Sequence, residues 1–284
     1  MKFTVILRRM GKSRLFMIGA VLLVLIIFVC VSSPWWTQWG STDANLRLRL
    51  ISPDWFSSGL GGHPFGTDPL WRDVLTRLLE GGIVSLQITL IVTVIAMTVG
   101  AVIGLVTGYF GGIVDMVVMR ICDALRAIPQ LVLAICVVAV VGPSMFTLIF
   151  ALTATSWIGI ARLVRSQVLA MKNSEFISAS RVLGANTTRI IWKELFPNTI
   201  TQLMIAASGH FGGTILVETS LSYLGMGVPV PRPSWGNMIT DGRQYLSSAP
   251  WVVIAPGIAL MLTVLAFNFI GDGLRDVLDP KNTN

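Results

Sequence analysis

The chain of 284 residues is 54% hydrophobic and only 12% charged, with a mean hydropathy of +0.75. Soluble domains carry roughly 25% charged residues, so this composition excludes an ordinary soluble fold and defines an integral membrane protein. The formal charge of +7 does not mark a nucleic-acid site, because the basic residues stand at the ends of apolar runs rather than in one aromatic-interleaved patch.

A basic head, residues 1–14 with Lys2, Arg8, Arg9, Lys12 and Arg14, precedes the first apolar run, Leu15 to Val31. About 20 residues at ~1.5 Å each cross a hydrocarbon core of ~30 Å. No small-x-small cleavage site follows, so a retained span is expected rather than a signal peptide. Residues 34–82 then read as an extracytoplasmic segment. Within it Pro34-Trp-Trp-Thr-Gln-Trp39 reads as an interfacial anchor, and Trp71 to Leu79, apolar at helical spacing, predicts a surface helix leading into the second span.

The second span is Ile83 to Val106. Gly100, Gly104 and Gly108 lie four apart, a spacing that lets another helix approach closely. Gly108-Tyr-Phe-Gly-Gly112 predicts a tight turn. In the third span the run from Ala127 to Val141 is too short to cross and extends back through Asp115, Arg120, Asp123 and Arg126. Arg120, Asp123 and Arg126 are three apart and share a helical face, so Asp123 is expected to pair with the two cations. An isolated charge at mid-membrane costs about 2.5–3.5 kcal/mol. A gate or a contact with a partner subunit is the alternative for this group. Pro129 predicts a kink.

After a turn at Gly142-Pro143, the fourth span is Ser144 to Ala161, the fifth Thr199 to Tyr223 and the sixth Trp251 to Gly271. The fifth carries His210, which either packs or faces a cavity, and Glu218, which either holds a loop by hydrogen bonds or lines a path. Cys30, Cys122 and Cys136 lack metal or disulfide spacing and are expected to be buried thiols. There is no G-x-x-x-x-G-K-[ST] loop, G-x-S-x-G elbow or histidine-carboxylate cluster, so no catalytic, cofactor or metal site is expected. If transport here consumes ATP, another chain hydrolyses it.

Orientation follows from lysine and arginine. The head has five and the tail, 272–284, two (Arg275, Lys281). Segment 162–198 has six (Arg162, Arg165, Lys172, Arg181, Arg189, Lys193). Arg47, Arg49, Arg72, Arg77, Arg232 and Arg243 fall in the other loops, which makes 13 against 6 and places both termini and 162–198 in the cytoplasm. That segment is polar between two apolar spans. A short helix from Glu175 ends at Gly184, a glycine suited to a left-handed residue, and a second helix ends before Pro197. Together they predict a compact knob for a soluble partner.

Glu175-Phe-Ile-Ser-Ala-Ser-Arg-Val-Leu-Gly184, followed by Ile190-Ile-Trp-Lys-Glu-Leu-Phe-Pro-Asn198, resembles the EAA loop of permease subunits of binding-protein-dependent ABC importers. Four further segments resemble the C-type subunits of the dipeptide/oligopeptide/nickel family. These are His63-Pro-Phe-Gly-Thr-Asp68 with Arg72-Asp-Val74, Gly108-Tyr-Phe-Gly-Gly112 with Asp115, Arg120 and Asp123, Leu221-Ser-Tyr-Leu-Gly225 with Pro233-Ser-Trp-Gly236, and Gly271-Asp-Gly-Leu-Arg-Asp-Val-Leu-Asp-Pro280. Three positions depart from the pattern: Ser180 for a usual alanine, Phe196 for a common leucine and Trp71 for a common glycine.

The resemblance implies an all-α, six-span type I importer permease in the bacterial inner membrane. It implies a homologous second permease, two ATPase subunits that use the ATP, and an extracytoplasmic solute-binding protein. It makes Glu175, Phe176, Ile177, Ala179, Arg181, Gly184, Ala185 and Pro197 the ATPase-coupling residues, with Phe176 and Ile177 as apolar contacts. Arg120, Asp123, Arg126, His210 and Glu218 remain candidates for pore or gate. Peptide is the first expectation for substrate and a metal chelate the second. A stand-alone secondary transporter would show internal duplication, which is not seen, and a pore-less scaffold would still present the knob.

Overall fold

The computed structural model describes residues 10–11, 13–35, 37–43, 50–53 and 62–278. Lys2, Arg8, Arg9, Lys12, Trp36, Arg47, Arg49, Lys281 and Asp279-Pro280 lie outside the described residues. Among the described residues the fold is helical, with one isolated β-bridge between Thr67 and Asp73.

Helix α1, Arg14–Val31, starts at Ser13, whose hydroxyl accepts from the Phe16 N–H. It packs along α9, Trp251–Leu278, and leaves residues such as Val24 and Phe28 on the outside, as a lipid-facing helix does. The long α2, Val74–Phe110, begins at Asp73, whose carboxylate accepts from the Thr76 N–H at 2.7 Å. At 37 residues it is about 55 Å long, well beyond the ~30 Å apolar core.

The surface helix expected over Trp71 to Leu79 is therefore the first turns of α2 itself. Val74, Leu75 and Leu79 are buried against Trp235, whose indole N–H donates to the Leu78 carbonyl at 2.8 Å. Residues 74–82 belong to this helix and not to a loop. The charges Arg72 and Arg77, which made the segment look superficial, are buried because they are paired: Arg72 Nε to Asp68 at 2.6 Å, Arg72 and Arg77 to Asp241 at 3.0 and 3.5 Å, and Arg77 to Asp68 at 3.4 Å. Asp241 sits on α8, Trp235–Gly242, so the network ties that helix to the start of α2.

Gly111 and Gly112, at φ +65° and +56°, make the turn into α3, Gly112–Arg126. The third span is not one kinked helix. Pro129, which lacks an N–H and disfavours helix at the residue before it, separates α3 from α4, Gln130–Val141, and the two axes differ by 80°. Counting that pair once gives six candidate spans.

After Gly142, at φ +96°, α5 runs over Met145–Met171, ten residues past the expected end of the fourth span. It packs along α2. A Cβ at Gly100, Gly104 or Gly108 would stand 2.6 Å from Ile160 Cβ, 2.5 Å from the Ala161 carbonyl or 2.7 Å from Val168 Cβ. The glycine stripe is thus the contact face on which the two helices touch.

Helix α6, Glu175–Val182, is followed by α7, Thr187–Tyr223, and both begin beyond the end of α5. Helix α7 does not end before Pro197. It takes a π-helical course over Ile190–Leu195 and carries Pro197 in the first turn of its α-helical continuation, where a missing N–H is tolerated. Trp35 is exposed, whereas Trp39 stacks on His63 and meets the edge of Trp71, so only part of the tryptophan cluster is free to anchor at an interface. Cys30 and Cys122 are buried and Cys136, on the outer face of α4, is exposed.

Candidate functional site

Two features of the fold combine polar chemistry with accessible surface. The first is the knob made by α6 and the start of α7. Glu175 lies in the first turn of α6, where a negative charge complements the helix dipole. At the other end Gly184 takes φ +79°. Its N–H bonds the Arg181 carbonyl at 3.0 Å, and the Ala185 N–H bonds the Ser180 carbonyl at 3.0 Å. This is the double closure that glycine in the left-handed conformation permits. Asn186 then caps α7 by accepting from the Arg189 N–H at 2.9 Å.

Ile177 is wholly buried with Ile190, Ile191 and Leu195 in the cluster that joins the knob to α2 and α5. It is therefore the knob's internal anchor and not an apolar contact for a partner. Phe176 is half exposed, Ala179 and Pro197 are exposed, and Ala185 is half-buried. Two residues outside the expected set dominate the tip: Val182 and Leu183 are 88% and 86% exposed. The available signal was an apolar pair between Arg181 and Gly184 in an otherwise polar turn.

Arg181 places its guanidinium 5.7 Å from the centre of the Tyr109 ring at the end of α2, and Lys172 donates to the Gly108 carbonyl at 3.3 Å. The first contact fastens the knob to the bundle, and the second ties the end of α5 to the end of α2.

Near the same end, α3 is held to α5 by two ion pairs. Arg165 bonds Asp115, and Arg162 bonds Asp123. Asp123 thus does not pair with Arg120 or Arg126. Its partner comes from α5, which packs beside α3 and brings Arg162 to that carboxylate, while Arg120 and Arg126 are exposed.

The second feature is a cavity of about 420 Å³ at the break between α3 and α4, flanked by α5 and α7 and partly open to the outside. Arg126, Gln130, Thr155, Ser156, His210 and Thr214 supply its polar lining. His210 Nδ1 lies 3.2 Å from Thr93 Oγ1 and 3.3 Å from Thr214 Oγ1. The imidazole both bridges α2 and α7 and reaches the cavity.

Glu218 does not line it. That side chain is fully buried one turn before Ser222, whose hydroxyl donates to it at 3.0 Å, with Ser85 of α2 beside it. This geometry is of the kind that holds a loop. Among the described residues no three His, Cys, Asp or Glu side chains gather as metal ligands would.

Such an arrangement, a glycine-zipped helix pair, a broken span and a helical knob at one end, defines a multi-pass helical membrane protein. A model of the binding-protein-dependent transport system inner membrane component matches residues 100–284, and one of the N-terminal TM domain of oligopeptide transport permease C matches residues 3–53. The chain belongs to this family of binding-protein-dependent inner membrane permease components.

The dipeptide transport system permease protein DppC of Escherichia coli strain K12 is 42% identical over 264 residues, which cover 93% of this chain and 88% of that one. The oligopeptide transport system permease protein OppC of Bacillus subtilis strain 168 is 38% identical over 273 residues, 96% and 88% of the two chains. The fold is similar to that in an inward-facing structure of the MetNI methionine ABC transporter, with a TM-score of 0.57 at 24% identity over 71% of this chain and 96% of that one.

Proposed function

We propose that this chain is one of two homologous permease subunits enclosing the pore of an ATP-driven peptide importer in the bacterial inner membrane. Both termini and the knob lie in the cytoplasm, and the Asp68–Arg72–Asp241 network lies on the opposite side, where a solute-binding protein delivers di- or oligopeptides. The relatives named as dipeptide and oligopeptide permeases support the substrate class.

The observation that carries the coupling role is the exposure of Val182 and Leu183 beside a rigid glycine closure, while Ile177 locks the same helix into the bundle. Apolar side chains held at the tip of an anchored knob suit the cleft of a soluble ATPase subunit, and knob and bundle then move together. ATP shifts the permease between states only if the ATPase pair binds it differently in them, and the knob is where that difference is transmitted.

The experiment is co-purification and uptake. Leu183→Glu is expected to leave the chain in the membrane but to strip the ATPase subunits from it and abolish nucleotide-dependent peptide uptake in proteoliposomes. Normal recovery of ATPase subunits with that variant, or peptide uptake by this chain alone without nucleotide, would overturn the reading.

A further inference from the structure

The cavity at the α3–α4 break is lopsided in charge. Arg126 lines it and has no hydrogen-bond or ion-pair partner among the described residues, and no aspartate or glutamate is among the lining side chains. Asp123, one turn earlier on α3, is already taken by Arg162. The start of α4 meets this space as well: its first residue, Gln130, lines it beside Ile128 and Pro129, and the helix begins without a side-chain cap. The uncapped N–H groups of a half-helix carry partial positive charge, and half-helices inside membranes present such ends to anionic groups.

A third observation is independent of both. The buried hydroxyl oxygen of Thr155, on the cavity wall, has no hydrogen-bond partner. Buried polar atoms are normally satisfied, so an open one beside a cavity points to a missing guest.

We propose that this cavity is an anion subsite on the translocation path that takes the carboxylate of the substrate in transit. Arg126 supplies the charge, the start of α4 at Gln130 a backbone N–H, and Thr155 a hydroxyl. This rests on the import reading above. Every linear peptide ends in a carboxylate whatever its side chains, so a site of this chemistry serves a carrier that accepts many sequences. With no acid opposing Arg126, the pairing is a single charge-assisted contact that solvent and the second permease can replace, and the substrate is not trapped.

The test uses the assembled complex of this chain with its second permease, ATPase subunits and binding protein. Gly159 lines the cavity and a Cβ there meets nothing within 4 Å, so Gly159→Cys, with Cys30, Cys122 and Cys136 replaced by alanine, puts a thiol in the space. A sulfonate-bearing methanethiosulfonate is expected to label it about tenfold faster than an ammonium-bearing one, each rate taken relative to a free thiol in solution. Arg126→Gln abolishes the preference and Arg126→Lys retains it. Equal labelling by the two reagents, or a preference that survives Arg126→Gln, overturns the subsite.

In the otherwise unsubstituted chain, Arg126→Gln also lowers maximal dialanine uptake by about tenfold while the binding protein's own affinity is unchanged. Undiminished uptake removes the role in transit. A charge preference at the Gly159→Cys thiol, together with an unsubstituted complex that imports no dialanine, supports the anion subsite and counts against the peptide reading.

Discussion

Arg165 on α5 grips both carboxylate oxygens of Asp115 on α3, with Nη2 to Oδ2 at 2.6 Å. With the Arg162–Asp123 pair, it is a polar fastening for a helix whose other side is apolar and uncovered, Ile113, Met116, Val117 and Ile121 being exposed. Both groups are partly open to solvent, so the pair is worth about 1 kcal/mol and no more. Asp115→Ala is expected to lower the stability of the detergent-solubilised complex by that amount, and Arg165→Ala to do the same. The double variant loses little beyond either single change, because both remove one contact. Additive losses in a thermal-melt cycle would mean that the two residues act separately.

Trp71 stands at φ +63°, a left-handed conformation that costs a non-glycine residue ~1–2 kcal/mol. The indole offsets that cost by packing edge-on against His63 at 5.2 Å and Trp39 at 5.4 Å between ring centres. Aromatic pairs of this kind contribute ~0.5–1.5 kcal/mol each. Trp71→Ala keeps the strain and loses the rings, whereas Trp71→Gly loses both. The glycine variant should therefore melt above the alanine variant, by about 1 kcal/mol, with the native chain above both. The reverse order of the two variants would show that the backbone there is unstrained.

The spans were legible in the sequence because length and the absence of charge define them directly, and the glycine stripe of α2 was legible because its period matches the helix. What escaped depended on long-range partners. Arg72 and Arg77 read as surface charges until Asp68 and Asp241, the latter far along the chain, neutralise them inside the fold. Asp123 had two cations within one helical turn, and the local pattern gave no sign that Arg162 on another helix would take it. At the knob, Glu175 to Gly184 announced a helix and its left-handed stop, but which apolar side faced inward was set by Ile190 and Leu195. That choice buries Ile177 and turns Val182 and Leu183 outward.

Gly184 has open space where a Cβ would go, so its requirement is conformational and not steric crowding. Its φ of +79° opposes a β-branched residue most and asparagine least. Gly184→Asn should keep most of the ATPase subunits bound, while Gly184→Val distorts the tip that presents Leu183. A penalty of ~1–2 kcal/mol corresponds to roughly a tenfold loss in occupancy. The measurement is the amount of ATPase subunit recovered with each variant at equal permease. Equal recovery for asparagine and valine would show that the closure at Gly184 does not shape the docking surface.

Gly104 presents the opposite case, in which space decides. A Cβ there would stand 2.5 Å from the Ala161 carbonyl and 2.7 Å from Val164 Cβ, and the first of these neighbours is backbone that no side-chain rotation can move. Gly104→Val must part α2 from α5, and those two helices share the buried residues Leu105, Ile160 and Val164 around which the knob is anchored. Overpacking of this kind costs about 1–3 kcal/mol, and here the displaced neighbour also carries the Arg162 and Arg165 pairs. The variant is expected to accumulate poorly and, where it inserts, to melt several degrees lower and to lose ATPase subunits without any change in the knob itself. Gly159→Ala on the same helix α5 is the control, since its Cβ enters open cavity, and it should lie within about 0.5 kcal/mol of the native chain. If Gly104→Val accumulates, melts and binds ATPase subunits as Gly159→Ala does, the close approach of α2 and α5 is not what positions the knob.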